Sequence, residues 1–220
     1  MIVAGKCPPE TEELRETYEK GFDYTELYLE KNHLEDLEDT VETVRDADIE
    51  VVSIHTPHVH PDQDTEYFLK AGELADKLDA YLVFHSKYFH HTHITQLEEL
   101  DIKSEYGYEN NPGISKTHLE EMILKKDHEL VIDTAHYFMA TPENYLDEIR
   151  QLLNRYSDRI NLIHLCDSKT TEDGLAFGDG EMDMKKVSDM IYENFDGILV
   201  LEVMPEHQED AREKLQKYLR

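Results

Sequence analysis

The sequence predicts a (β/α)8 barrel, and two observations carry this prediction. Short apolar runs recur along the chain, each closed by a histidine or an acidic residue, at residues 50–55, 81–85, 130–133, 161–164 and 197–202. Helical patterns separate these runs. Near-continuous apolar strands suit a parallel sheet that is covered on both faces. Polar residues at the carboxyl ends of several strands are typical of a barrel whose active site lies at that face.

The first half of the chain alternates strand and helix patterns. Strands are predicted at residues 2–5, 24–30, 50–55 and 81–85, and helices at residues 11–20, 34–47 and 65–78. In the second of these helices, Leu34, Leu37, Val41 and Val44 lie at helical spacing, which predicts one apolar face. Residues 86–103 are expected to form a loop with one short helix at 95–100, so the barrel is slightly shortened here.

The second half continues the same alternation. Strands are predicted at residues 105–109, 130–133, 161–164 and 197–202, and the last two helices at residues 184–192 and 210–219. Thr117 with Glu120 is a capping-box signature, which predicts a helix start. Thr141 followed by Pro142 predicts the start of another helix, because these residues favour the N-cap and the first helical position.

Composition limits the partners of this chain. Its 220 residues are slightly fewer than the ~250 typical of such a barrel, and we expect a single domain over residues 1–220. Fifty acidic residues against 22 basic ones give a formal charge of −28. Because this charge repels phosphate groups, we expect neither a nucleic-acid nor a membrane partner.

Cysteine content and hydropathy bear on location. Cys7 and Cys166 are too few for a disulfide framework, residues 1–5 are too short for the apolar part of an export signal, and no apolar run reaches the ~18 residues of a membrane span. We therefore expect a cytoplasmic protein. The short segment between His85 and Glu109 is compatible with a homo-oligomer in which a partner subunit covers the pocket.

The strand ends supply a predicted metal site. Strand ends of a closed barrel converge on one axis, so residues far apart in sequence are expected to meet there. The candidates are Glu109, Asp133, His164 and Glu202. Three carboxylates this close would raise one another's pKa unless a cation neutralised them. Carboxylate and imidazole ligands favour a divalent metal such as Mn, Mg, Co or Zn.

These residues also carry a family resemblance. The motifs follow one another along the chain as Glu109, Asp133 with His136, His164 with Lys169, the turn from Gly178 to Gly180, and Glu202. This order resembles the xylose isomerase-like TIM barrel superfamily. That superfamily includes sugar isomerases and epimerases and the endonuclease IV-type AP endonucleases (AP endonuclease family 2).

Similarity to the epimerases implies a metal-dependent isomerase or epimerase of a sugar or sugar phosphate. In this hypothesis Glu109, Asp133, His164 and Glu202 hold one divalent metal. Glu109 and Glu202 are the catalytic pair that removes and returns a proton through a metal-stabilised enediolate. His136 binds substrate. The arginine that the epimerases carry after the strand-end histidine is absent, and Lys169 lies nearby as a substitute substrate contact.

Similarity to the endonucleases implies an alternative, a zinc phosphodiesterase that acts on DNA. Here His55, His85 and Glu109 match a first zinc site. The four residues of the predicted metal site, Glu109, Asp133, His164 and Glu202, match a second. A third zinc needs a histidine that residues 172–177 lack, and the charge of −28 opposes DNA binding. A different metal hydrolase or lyase, and a barrel that binds ligand without turnover, are further alternatives.

His58 and His60 are expected to be solvated loop residues rather than part of the pocket mouth.

Overall fold

The computed structural model describes residues 1–85 and 91–219 of the chain, the side chains of residues 91 and 92 excepted. Within these ranges eight strands form a closed barrel: β1 (Ile2–Cys7), β2 (Tyr24–Tyr28), β3 (Glu50–His55), β4 (Tyr81–Phe84), β5 (Tyr106–Glu109), β6 (Glu129–Asp133), β7 (Leu162–Leu165) and β10 (Ile198–Leu201). Their order is β1, β10, β7, β6, β5, β4, β3, β2. The predicted (β/α)8 barrel is confirmed.

The chain divides into two compact parts. The N-terminal part is residues 6–108, and the C-terminal part is the remainder of the described chain, including residues 1–5. Each part contributes neighbouring parallel strands. The strand β3 pairs with β2 and β4 in the first part, and β7 pairs with β6 and β10 in the second.

The N-terminal part contains the helices α1 (Thr11–Glu19), α2 (Leu37–Arg45), α3 (Thr65–Leu78) and α4 (His91–Glu98), and a 3-10 helix at Lys31–Leu34. The helix predicted at 65–78 is confirmed. The helix predicted at 34–47 is shorter, because Asp36 accepts a hydrogen bond from the Asp39 N–H (3.2 Å) and caps α2. The loop predicted before residue 95 is wrong for residues 91–94, and its residues 86–90 lie outside the described chain.

The C-terminal part contains the helices α5 (Lys116–Met122), α6 (Thr134–Ala140), α7 (Tyr145–Arg155), α8 (Met184–Asn194) and α9 (Gln208–Tyr218), with 3-10 helices at Leu124–Lys126, Ser157–Arg159 and Pro205–His207. The predicted cap at Thr117 is wrong, because Ser115 accepts the hydrogen bond from the His118 N–H (3.3 Å). The helix expected from Thr141 begins at Tyr145. The helix α6 was not predicted.

A hairpin that the sequence pattern did not predict follows β7. Its strands β8 (Asp167–Lys169) and β9 (Glu172–Leu175) are antiparallel. The buried Asp167 carboxylate accepts hydrogen bonds from the backbone N–H groups of Ser168, Gly178, Gly180 and Met182, at 2.8–3.1 Å. A β-carbon at Gly180 would overlap this carboxylate, which explains the glycine. Asp167 therefore fixes the turn that follows the hairpin.

The helices of the described chain are all too short or too polar to cross a membrane.

Candidate metal centres

Four side chains from four strand ends form an acidic centre in the C-terminal part. Glu109 ends β5, Asp133 ends β6, His164 lies in β7, and Glu202 directly follows β10. Their ligand atoms all lie within 4.8 Å of one another. Glu109, Asp133 and His164 are buried, and Glu202 is partly exposed. The structure thus brings together the four residues that the strand-end pattern selected.

His164 lies between the two glutamates. Its Nδ1 is 2.9 Å from Glu109 Oε1 and 2.9 Å from Glu202 Oε2. One ring nitrogen carries one proton at most, so the two carboxylates would have to share a single donor. Two carboxylates at the same short distance from one nitrogen therefore favour a shared cation or a shared proton at this point.

The charge of the acidic centre also favours a cation. Burial raises the pKa of Asp133 to about 6, and the neighbouring Glu202 and Glu109 carboxylates act in the same direction, against the opposing effect of His136 and His164. Each ionised carboxylate here costs free energy because it has left water and lies near others of its sign. Three carboxylates and one imidazole are a suitable ligand set for a divalent metal such as Mn, Mg, Co or Zn.

Asn110 holds Asp133 in place. The Asn110 amide donates to the Asp133 carbonyl (3.0 Å), and the Asp133 N–H donates to Asn110 Oδ1 (2.7 Å). The Asp133 carboxylate accepts from the His136 N–H (2.8 Å) and so caps α6. The strand-end pattern does not select Asn110, although this residue directly follows Glu109.

His136 lies beside the acidic centre and is held from both ring nitrogens. Its Nδ1–H donates to the Asn110 carbonyl (2.7 Å), and its Nε2 lies 3.2 Å from Asp173 Oδ2 on β9. Burial lowers the pKa of His136, but Asp133, Asp173 and Glu109 outweigh this effect and raise it to about 10. These three carboxylates favour the charged form of the imidazole, and Asp173 on the β8–β9 hairpin is one of them.

Lys169 lies on β8 and is half-exposed. Its Nζ is 3.6 Å from Glu172 Oε2 on the same hairpin. Its role as a substrate contact stays a prediction.

A histidine cluster forms in the N-terminal part. His55 ends β3, His85 directly follows β4, and His58 lies on the loop after β3. His55 Nε2 is 3.0 Å from His85 Nδ1, and one ring nitrogen of each of the three side chains lies within 4.8 Å of the others. The expectation that His58 is a solvated loop residue is incomplete, because the exposed imidazole also contacts both of the other rings.

Comparison with known proteins assigns the family. A family model described as a xylose isomerase-like TIM barrel matches residues 14–220. The chain belongs to this family. The resemblance inferred from the strand-end residues is therefore confirmed. A comparison with curated protein sequences gave no match.

Solved structures of the same fold include proteins with different activities. A xylose isomerase domain protein from Alicyclobacillus acidocaldarius is 16% identical, with a TM-score of 0.70 over 100% of this chain and 98% of that one. A D-allulose 3-epimerase from Methylomonas sp. is 12% identical, with a TM-score of 0.74 over 99% and 98%. Endonuclease IV from Thermus thermophilus is 15% identical, with a TM-score of 0.68 over 99% and 98%. At these identities the likeness extends to the fold alone.

Proposed function

We propose that the chain is a divalent-metal-dependent isomerase or epimerase of a sugar, with Glu109 and Glu202 as its acid–base pair. The observation that carries this proposal is the placement of both carboxylates 2.9 Å from one buried nitrogen, His164 Nδ1. They come from different strands, β5 and β10, and approach the same point.

Two carboxylates suit a reaction that moves a proton at a carbon next to a carbonyl group. One carboxylate removes the proton as a base, and the other returns a proton as an acid, so the configuration at that carbon changes when they act from opposite faces. The Glu109 side chain is 1% exposed and that of Glu202 is 27% exposed. Glu202 is therefore more hydrated than Glu109. Such a difference in environment lets one of two paired carboxylates act as the acid and the other as the base.

Glu109, Asp133, His164 and Glu202 would hold the metal. A divalent ion bound there supplies positive charge that stabilises the negative charge developing on the substrate oxygens. His136, the predicted substrate-binding residue, presents its Nε2 to the half-exposed Asp173 carboxylate. A sugar hydroxyl would compete with that carboxylate for this nitrogen, so Asp173 keeps the imidazole oriented before substrate arrives.

The charge of the acidic centre favours an uncharged sugar over a sugar phosphate. Its ligand atoms come from three carboxylates and one imidazole, and the whole chain has a formal charge of −28. A phosphate group approaching this centre would be repelled unless bound metal outweighed the carboxylates.

Both cysteines are free thiols, and we place the enzyme in the cytoplasm, where thiols stay reduced.

Exchange of a sugar proton with heavy water tests the proposal. The manganese-loaded chain is incubated in heavy water with a panel of ketoses, and deuterium at the carbon next to the carbonyl is measured by NMR. We expect exchange with at least one ketose, lowered by about 100-fold or more in Glu202→Gln because the acid–base pair is broken. Glu206→Gln is the matched control, since Glu206 is exposed and lies four residues away.

Metal content is measured in the same samples. A Glu202→Gln chain that keeps its metal and loses exchange assigns the residue to proton transfer. Unchanged exchange in this variant, or the absence of exchange with every ketose in the metal-loaded wild type, would overturn the proposal.

A second candidate is a zinc phosphodiesterase, and the observation in its favour is the 3.0 Å contact between His55 and His85. These are the two histidines that the endonuclease resemblance requires. The test is cleavage of abasic-site DNA by the zinc-loaded chain over a range of salt concentrations, because the charge of −28 opposes phosphate binding most strongly at low salt. Absence of both binding and cleavage removes this candidate.

A further inference from the structure

We infer that Asp173 and His136 together bind one hydroxyl group of the substrate, a conclusion that rests on the proposed function in taking a sugar as that substrate. Asp173 lies on β9, and its Oδ2 is 3.2 Å from His136 Nε2. The pair then selects sugars that carry a free hydroxyl group at the bound position. This contact gives the β8–β9 hairpin a role in substrate binding.

The partners of the His136 ring determine which atoms donate. Its Nδ1 lies 2.7 Å from the Asn110 carbonyl oxygen, which can only accept. The hydrogen bond from His136 holds the pKa of Asp173 below its usual range, so this carboxylate is also an acceptor and Nε2 is the donor. A hydroxyl group placed between them satisfies both residues, because its oxygen accepts from Nε2–H and its proton is donated to the carboxylate.

The exposure of Asp173 leaves room for such a hydroxyl group. Its side chain is 45% exposed, whereas that of His136 is 9% exposed. Two hydrogen bonds of ~2.8 Å that meet at one oxygen separate their outer atoms by about 4.5 Å. Starting from 3.2 Å, the carboxylate moves outward by about 1 Å, while the buried imidazole stays in place.

The backbone on both sides of Asp173 is fixed to the buried segment that follows β7. The Glu172 carbonyl oxygen lies 2.8 Å from Ser168 Oγ, and the Gly174 N–H donates to Cys166 Sγ (3.3 Å). Ser168 and Cys166 are at most 1% exposed. Asp173 is therefore positioned by the buried contacts of its two neighbours, and only its side chain has to move when a hydroxyl group binds.

The pair discriminates between chemical groups. An ionised phosphate or carboxylate can accept from His136 but cannot donate to Asp173, and its charge is repelled by the Asp173 carboxylate. A deoxy sugar offers neither a donor nor an acceptor at this position. The loss of one hydrogen bond to a charged group lowers affinity by about 10–100-fold. The sugar bound here therefore carries an unphosphorylated hydroxyl group at this position.

Binding of sugars to matched variants tests the pair. Manganese-loaded wild type, Asp173→Asn and Glu172→Gln chains are titrated calorimetrically with D-fructose, D-tagatose, D-ribulose and D-xylulose, and then with the singly deoxygenated analogues of the ketose that binds most tightly. Glu172 is the control, because it is the exposed neighbour of Asp173 on β9. We expect one deoxy analogue to bind about 10–100-fold more weakly than its parent ketose in the wild type and in Glu172→Gln. In Asp173→Asn this ratio should fall by at least about fivefold, because the charged acceptor is lost.

The same chains separate this inference from the proposed function. If no ketose exchanges its proton with heavy water but one binds with this dependence on Asp173, the isomerase proposal fails and the hydroxyl-binding pair stands. If exchange occurs and Asp173→Asn keeps the wild-type ratio, the pair is ruled out and the isomerase proposal stands. Absence of ketose binding by the wild type would overturn both. Loss of bound manganese or zinc in Asp173→Asn, measured by elemental mass spectrometry, would make Asp173 a metal ligand and would also overturn the inference.

Discussion

The acidic centre and the histidine cluster both lie at the carboxyl ends of strands, yet their side chains differ in charge and in ligand type. The acidic centre offers three carboxylates and one imidazole, mostly buried. The histidine cluster offers three imidazoles, and its burial decreases from His55 through His85 to His58. We therefore expect the two groups to prefer different ions despite the same strand-end placement, because the side-chain type decides the charge and the ligand softness.

The two groups are also supported differently. Asn110 holds the acidic centre through both backbone groups of Asp133 and through the His136 ring. Thr56 holds the histidine cluster through the backbone of His85 and the ring of His55. Asn110 and Thr56 are each a single buried residue that follows a strand end. A substitution at either residue should therefore affect only the group that this residue supports.

The largest expected effect comes from the central imidazole of the acidic centre. His164→Gln should lower Mn²⁺ affinity and sugar proton exchange by more than about 100-fold, because removal of a direct ligand exceeds the 10–100-fold cost of losing a supporting residue. Calorimetric titration with Mn²⁺ and the heavy-water assay measure these effects. His85→Gln should change Mn²⁺ affinity by less than about threefold, and an equal loss in both variants would show that the two groups do not bind separately.

Loss of the support at Asp133 should destabilise the fold. Asn110→Ala leaves the Asp133 N–H and carbonyl without their side-chain partners, and we expect the free energy of unfolding to fall by about 2–3 kcal/mol. Urea denaturation measures this change. Asn111→Ala is the control, because its Oδ1 makes no hydrogen bond within the described chain, and it should cost less than about 1 kcal/mol. Equal effects of the two substitutions would contradict the role of Asn110.

A smaller effect is expected at the support of the histidine cluster. Thr56→Val keeps the side-chain shape and removes the Oγ1 hydrogen bonds to His85, so the free energy of unfolding should fall by about 1–2 kcal/mol. Zinc affinity at the histidine cluster should fall with it. Thr56→Ser retains the hydroxyl and should restore both. A Thr56→Ser chain as weak in zinc binding as Thr56→Val would assign the effect to packing.

The smallest effect is expected at Lys169. Its side chain is half-exposed and lies near Glu172, and exposed charge interactions contribute ~0.2–1 kcal/mol. Lys169→Ala should therefore raise the KM for the sugar by about fivefold at most, with kcat unchanged in the heavy-water assay. A large loss of kcat would instead place Lys169 in the proton-transfer step.

The strand-end residues could be predicted because the rule that selects them is simple. An apolar strand that closes on a carboxylate or an imidazole exposes that group at one face of the barrel, as at Asp133 and His164. The position depends on the strand alone, so residues distant in sequence can be assigned to one centre without knowledge of their contacts. The order of these motifs along the chain also identified the family.

Other features depend on tertiary contacts that the local pattern does not contain. His58 joins the histidine cluster only because its loop returns to the ends of β3 and β4. The polar strand β9 has no apolar alternation, and its turn is fixed by the distant Asp167 carboxylate. The start of α6 was accessible in principle, since Asp133 is a favoured N-cap residue and lies three positions before His136.

Manganese titration of the metal-free chain tests the central claim most directly. The chain is purified without a metal-affinity tag, stripped with a chelator and titrated calorimetrically in parallel with Asp133→Asn and His58→Ala. One Mn²⁺ per chain is expected in the wild type and in His58→Ala, with affinity in Asp133→Asn reduced by more than about tenfold. No manganese binding in the wild type, or unchanged binding in Asp133→Asn, would contradict the assignment of the acidic centre as the metal site.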